Sequence, residues 1–239
     1  MSRPLRIYHL YPAEMNIYGD WGNILALQQR LRWRGYEAEY RPVRLGEQHD
    51  FTQADIVFGG GGQDKGQIAV ADDLQDRLDN LHKAVADGVV MLAVCGIYQL
   101  FGRQFITSDG AELPGTAIFA AETTGSSDRL IGNVIIQTEW GELVGFENHS
   151  GKTKLDPGQS VLGRVVKGYG NNGEDGFEGA KIDNVFGTYL HGPLLPKNPQ
   201  FTDELLRRAL MNRGESGELE PLDDTTAEQA AEVAKQRPQ

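Results

Sequence analysis

A single cysteine, Cys95, in 239 residues excludes an internal disulfide and suits a reducing compartment, where a thiolate stays usable. No apolar run approaches the roughly 20 residues needed to span a bilayer. Met1-Ser2-Arg3-Pro4 leads straight into a strand-like segment, without the charged, apolar and small-residue order of a secretory leader. These absences predict a cytoplasmic protein with no membrane insertion. Basic residues are in deficit, 23 Lys and Arg against 34 Asp and Glu, for a net charge of −11. An acidic body without a basic stripe argues against nucleic-acid binding. Residues 215–239 hold seven acids and two bases, a local −5, which leaves −6 on the rest. A hydrophobic content of 39% and an aromatic content of 8% suit one α/β core with room for a small second lobe.

What is present is an alternation of short apolar runs with amphipathic ones. Leu5-Arg6-Ile7-Tyr8-His9-Leu10-Tyr11 alternates as a first strand. Residues 12–22 read as a loop, and Asn23 as the cap of a helix through Ile24, Leu27, Leu31 and Trp33. Residues 38–43 and 55–58 read as strands, the second running into Gly59-Gly60-Gly61-Gly62-Gln63-Asp64. A helix over 72–87 would place Leu74, Leu78, Leu81 and Val85 on one face. Strands and helices joined by short loops predict an α/β fold with a doubly wound, mostly parallel sheet flanked by helices. Chemistry in such sheets belongs at the carboxyl ends of the strands. From about Leu113 the texture becomes glycine-punctuated and strand-rich, which predicts an antiparallel extension of the same sheet in the second half. Residues 185–190 form the last strand, and a helix over 203–212 closes a body domain of residues 1–213. Residues 214–239 are an acidic C-terminal tail, partly helical. Thr225-Thr226-Ala227-Glu228 has capping-box spacing, and the helix it opens reads as frayed and solvated in preference to docked on a partner.

Cys95 stands where the run Val89–Val94 meets the helix-like Gly96-Ile97-Tyr98-Gln99-Leu100-Phe101. A strand ending in Cys-Gly that turns directly into a helix lifts the sulfur clear of the sheet and aims the first helical amides at it. Such dipoles favour a thiolate and hold an oxyanion, so the context points to acyl transfer through a thioester. The competing reading is a small buried core residue, the commoner fate of a free cysteine. A base decides between them. His49 and His82 read as solvated surface and His9 as a strand wall residue. His149 lies in a polar loop, Phe146-Glu147-Asn148-His149-Ser150-Gly151, and stays open. His191 immediately follows the last strand, where it could take the thiol proton and later protonate a leaving amine. The glycines at 60–62 can turn amides inward, so Gly61 with Gly96 forms the expected oxyanion hole, a tight βα turn being the alternative. Gly145–Thr153 resembles a nucleotide P-loop but has five residues between the glycines where four are required, and turn sequence follows it. ATP binding in this chain is rejected, and no metal site is expected.

Taken together, Ala93-Val94-Cys95-Gly96-Ile97-Tyr98-Gln99-Leu100, Leu10-Tyr11-Pro12 with Met15-Asn16-Ile17-Tyr18-Gly19-Asp20, residues 60–64, Gly145-Phe146-Glu147-Asn148-His149, Gly168-Tyr169-Gly170-Asn171-Asn172 and Gly187-Thr188-Tyr189-Leu190-His191-Gly192-Pro193 resemble the class I glutamine amidotransferases. The resemblance is to their cobyric-acid-synthase-like branch and, more narrowly, to the glutaminase subunits of lipid II isoglutaminyl synthases. It implies a flavodoxin-like fold and hydrolysis of L-glutamine by Cys95 with His191 as base. It also implies contact of Gln99 with the bound glutamine, and Arg129 on its carboxylate, which a guanidinium can hold bidentately. It further implies no cofactor in this chain and a MurT-type, Mur-ligase-like synthetase subunit as heterodimer partner. That partner would use ATP and Mg to amidate D-glutamate of lipid II, and would reach lipid II on this chain's behalf. Two departures stand out. Ile97 replaces a second glycine after the cysteine, and Pro193 replaces the glutamate expected two residues after the histidine. The orienting carboxylate is then expected from the partner or from Asp20. Rival readings are the glutaminase component of a cobyrinate or cobyric acid amidotransferase, and a non-catalytic regulatory subunit on the same fold.

Overall fold

A computed structural model describes residues 3–237; Met1, Ser2, Pro238 and Gln239, and with them the reading of the extreme N-terminus, lie outside the described residues. The first half alternates as its apolar runs require: β1 (Leu5–Leu10), α1 (Trp21–Trp33), β2 (Ala38–Val43), β3 (Ile56–Gly59), α2 (Asp64–Gln75), α3 (Leu78–Ala86), β4 (Val90–Val94) and α4 (Gly96–Phe101). The second half holds β5 (Gln104–Ile106), β6 (Glu112–Pro114), β7 (Ala121–Thr138), β8 (Gly141–Leu155), β9 (Gly163–Lys167), β10 (Phe177–Glu178), β11 (Ala180–Ile182), β12 (Val185–Thr188), α5 (Pro199–Asn212) and α6 (Thr225–Gln236).

One sheet runs in the order β2-β1-β3-β4-β12-β11, parallel throughout except for the edge strand β11. Its middle strand β4 is buried at every residue, as a Val-Met-Leu-Ala-Val run covered on both faces must be. The chain winds outward from β1 in one direction and from β3 in the other. Right-handed crossovers therefore place α1 on one face and α2–α3 on the opposite one, with a switch point between β1 and β3. Loops leaving β1, β3, β4 and β12 all emerge at that carboxyl edge.

The antiparallel extension of this sheet is limited to β11. The rest of the second half folds as its own six-stranded sheet, in the order β10-β9-β7-β5-β6 with β8 paired to β7. Length explains the separation. β7 and β8 have 18 and 15 residues, far longer than the three- to six-residue strands of the first sheet, and they satisfy each other as a hairpin. The two sheets meet where the His191 amide donates to the Phe146 carbonyl at 2.8 Å and Phe146 returns the bond at 3.1 Å.

Three local expectations shift. α1 begins at Trp21, whose amide is capped by Asn16 Oδ1 at 2.8 Å; Asn23 is buried inside the helix and accepts instead from the Leu195 amide. The helix over 72–87 is two helices, because Arg77 turns inward to bond Asp73 and the carbonyls of Arg44 and Glu47. The tail helix α6 is not frayed into solvent. Lys235 pairs with Glu142 at 2.9 Å, Ala231 is buried, and the buried Arg30 binds both Asp203 of α5 (2.6 Å) and Asp224 just before α6 (2.5 Å). Among the described residues no helix is long and apolar enough to cross a membrane.

Candidate active site

Cys95 has φ +50° and ψ −101°, a backbone conformation that costs about 1–3 kcal/mol for a non-glycine residue and persists only where its surroundings impose it. They do so here. The Cys95 amide donates to the Thr188 carbonyl of β12 at 2.8 Å, and its carbonyl accepts the first α4 bond from Gln99 at 2.9 Å. The strand is held straight to its last residue and the helix starts at the next. Ile97 fits this elbow because β3 presents Gly59 to it; a Cβ there would fall 2.8 Å from the Ile97 γ-carbons.

His191 follows β12 and is wholly buried. A Cβ built on Gly61 would lie 2.8 Å from His191 Cε1 and 3.2 Å from Cys95 Cβ, so imidazole and thiol face each other across the open side of this glycine. His191 Nδ1 donates to Asp20 Oδ1 at 3.3 Å, while Nε2 has no hydrogen-bond partner among the described residues. Asp20 arrives because Pro193 packs against Gly22 at the start of α1, where a Cβ would sit 2.4 Å from the proline ring. The residue standing in the glutamate's place thus helps draw another carboxylate to the histidine. Burial lowers the imidazole pKa, but the Cys95 charge and the Asp20 hydrogen bond outweigh it and raise it from 6.5 to about 10. The Asp20 carboxylate and the neighbouring sulfur favour the imidazolium form of His191 at neutral pH.

One expectation needs correction. The Gly61 amide donates to Asp20 Oδ2 at 2.7 Å, so it is not free to hold an oxyanion. Gly61 contributes space between base and nucleophile. The amides of Gly62 and Gly96 make no protein hydrogen bond among the described residues, and Gly62 N lies 3.1 Å from the point a Cβ on Gly96 would occupy. They are the adjacent free donors beside the sulfur.

The sulfur faces a cavity of about 690 Å³ that also contains Gln99, Arg129 and His149. Arg129 sits at the register break between Gly125 and Leu130 of β7, and its guanidinium is steadied by Asn148 Oδ1 at 2.7 Å. Among the described residues that line the cavity it is the one Arg or Lys. Gln99 is buried, giving Nε2 to the Tyr189 hydroxyl at 3.2 Å and accepting from Gln67 at 2.7 Å. His149 is not in a loop but inside β8. It stacks on Tyr189 at 3.6 Å and 6°, with Nδ1 donating to the Gly151 carbonyl at 2.7 Å, and so forms part of the wall. His9 is buried beside Tyr40 (3.3 Å), and His82 bonds the Thr116 carbonyl at 2.7 Å. Three residues of this region carry no role in the sequence reading: Tyr18, edge-on to the His191 ring at 5.0 Å; Gln67, on the first turn of α2; and Glu178. Nothing in local pattern marks the last two.

Glu178 accepts from the Tyr189 amide at 2.6 Å and from the Thr188 hydroxyl, fixing the strand end that carries His191. Burial raises its carboxyl from 4.5 to about 8 against those hydrogen bonds. Both groups with raised values stabilise the fold most when protonated. The Glu178 contribution is full below about pH 4.5 and lost as pH rises through about 8; that of His191 is full below about 6.5 and lost through about 10. Asp73, Asp203 and Glu204 behave oppositely. Burial opposes their ionisation, but their arginine partners prevail and lower them, so their contributions vanish on acidification. Thermal melts are expected to peak on the acid side of neutrality and decline toward pH 10, and Glu178→Gln should flatten the first part of that decline. A melting temperature constant from pH 6 to 10 would contradict this.

With this geometry in place, relatives can be compared. Residues 6–199 match the CobB/CobQ-like glutamine amidotransferase domain. The chain is 41% identical over 230 residues to the lipid II isoglutaminyl synthase (glutamine-hydrolyzing) subunit GatD of Staphylococcus aureus strain N315, covering 96% of this chain and 94% of that protein. It is 37% identical to the subunit of the same name from Streptococcus pneumoniae R6, covering 95% and 89%. A probable cobyric acid synthase of Methanopyrus kandleri is 37% identical over 52% of this chain but only 27% of its own length. Among solved structures, a glutamine amidotransferase superposes with a TM-score of 0.57 at 14% identity (84% of this chain, 98% of that one), and one from Thermotoga maritima with 0.52 at 15% (98% and 94%); these bear on fold alone. The elbow, the histidine at the end of β12 and a match over most of the sequence agree: this chain belongs to the CobB/CobQ-like glutamine amidotransferase family.

Proposed function

We propose that this chain is a glutaminase subunit that hydrolyses L-glutamine through a Cys95 thioester and supplies ammonia to a Mur-ligase-like synthetase subunit. That partner, with ATP and Mg, amidates D-glutamate of lipid II to D-isoglutamine in peptidoglycan synthesis. The observation that carries the reading is the meeting of Cys95 and His191 across Gly61 at the carboxyl edge of the parallel sheet. The Cys95 thiolate attacks the side-chain carbonyl carbon, and the developing oxyanion is received by the amides of Gly62 and Gly96. Imidazolium Nε2–H of His191 protonates the leaving amide nitrogen, which departs as ammonia. His191 then takes a proton from water, which hydrolyses the thioester to glutamate and returns the thiolate. Arg129 holds the α-carboxylate, and Asp20 fixes the ring with its proton on Nδ1. Full-length similarity to GatD subunits supports the lipid II reading over a cobyric acid synthase, whose match is confined to about half of the chain.

Diazo-oxo-norleucine is expected to label Cys95 stoichiometrically. With a Mur-ligase-like partner, glutamine and ATP, the assembly is expected to amidate lipid II and not cobyrinate. An unlabelled Cys95 would return the chain to the non-catalytic reading, and amidation of cobyrinate would move it to the other branch.

A further inference from the structure

Gln67 is 2% exposed yet borders the cavity beside Cys95. One end of its carboxamide is fixed: Nε2 donates to Gln99 Oε1 at 2.7 Å and approaches the Gly96 carbonyl at 3.5 Å. Gln99 in turn donates to Tyr189, whose hydroxyl meets Thr153 at 2.6 Å, and Thr153 meets Thr123 at 2.7 Å. The Gly96 carbonyl, which can only accept, sets the nitrogen at this end of the Gln67 amide. Its Oε1 accepts no protein hydrogen bond among the described residues, and Gln67 lines the cavity. That oxygen is the end of the carboxamide left for a ligand there. Its neighbours place it closely. The point where a Cβ on Gly96 would stand is 3.1 Å from Gln67 Nε2 and 3.1 Å from Gly62 N, so the Gln67 head borders the two free amides next to the sulfur.

A substrate carboxamide has a carbonyl oxygen and an NH2 that differ only in hydrogen-bond sense. Free amide donors on one side and a fixed carbonyl acceptor on the other admit one orientation. Resting on the glutaminase reading, we infer that Gln67 is the residue that reads the carboxamide. Its Oε1 accepts an N–H of the substrate amide, turns the substrate carbonyl oxygen toward Gly62 and Gly96, and rejects glutamate, whose second oxygen would face another acceptor. Discrimination of this kind comes from leaving a buried polar group unpaired when the wrong substrate binds.

The test compares L-glutamine with the γ-methyl ester of L-glutamate, which keeps the carbonyl and lacks the N–H. The full chain is assayed alone and with its synthetase partner, using Gln67→Met for shape and Gln67→Leu as a second variant, with thermal melts as a folding check. Turnover of glutamine, as kcat/KM, is expected to fall about 100-fold in both variants, while ester hydrolysis stays within about 3-fold of the unsubstituted chain. Equal losses on both substrates would show that Gln67 only supports Gln99 and overturn the assignment, as would unchanged glutamine turnover. An unsubstituted chain inactive on both substrates would instead overturn the glutaminase reading beneath it.

Discussion

Cys95→Ser is expected to lower glutamine turnover by at least about 10⁴-fold while leaving the fold and glutamine binding in place. The size of the effect follows from the division of labour at the elbow. The strained φ of +50° is imposed by the Thr188 carbonyl above and the start of α4 below, and both bonds are made by the backbone, which serine retains. The free amides of Gly62 and Gly96 also remain, so substrate still docks with its carbonyl polarised. What disappears is the thiolate. A thiol yields its proton far more readily than a hydroxyl and is the better nucleophile once it has, so serine stays protonated where cysteine would react. Residual turnover then reflects polarisation and orientation alone. Coupled detection of ammonia or glutamate measures the loss, and calorimetric titration with glutamine checks that binding survives. Activity above a tenth of the unsubstituted rate would remove Cys95 from the chemistry.

The parts of this site legible in the sequence are those fixed by local pattern. An apolar run ending in Cys-Gly, and another ending just before His191, place two side chains at strand ends without knowledge of anything distant. The Asp20–His191 contact spans 171 residues and depends on Pro193 packing against Gly22, which no periodicity records. Asp20 could be named as a candidate, but not placed. Gly61 was read as an anion donor because glycine runs expose amides; its amide proved occupied by Asp20, a tertiary bond again. β8 was half hidden for another reason. Its inward positions Glu147, His149, Gly151 and Thr153 alternate correctly but are polar or lack a side chain, so a buried strand reads as a polar loop around His149. Those polar residues are what the second sheet brings to the cavity and the adjoining core. The docking of α6 was missed because the acidic tail reads as solvated, whereas its anchor, Arg30, sits in a distant helix.

Asp20→Asn tests the origin of the orienting carboxylate, and the expected loss is about 10³–10⁴-fold in kcat/KM with little change in stability. The asparagine is nearly the same shape, so its oxygen can keep the Gly61 amide bond. Its NH2 would then face His191 Nδ1, where the carboxylate now accepts at 3.3 Å. The ring would have to accept at Nδ1 and carry its proton on Nε2, leaving no lone pair there to take a proton from thiol or water. Losing the negative charge also weakens the hold on the second imidazolium proton. Because Asp20 raises the His191 pKa, its removal lowers that value from about 10, and the alkaline limb of the kcat/KM profile should move toward neutrality. A merely structural role for Asp20 would not shift that limb. The measurement is a pH–rate series on the isolated chain and on the chain with its synthetase partner. A loss and a shifted limb in both forms place the third catalytic group in this chain. If the partnered Asp20→Asn variant instead keeps the unsubstituted rate and limb, the working carboxylate comes from the partner. Asp20 would then serve to hold Gly61, and glutamine hydrolysis would be coupled to assembly through the orientation of one imidazole ring.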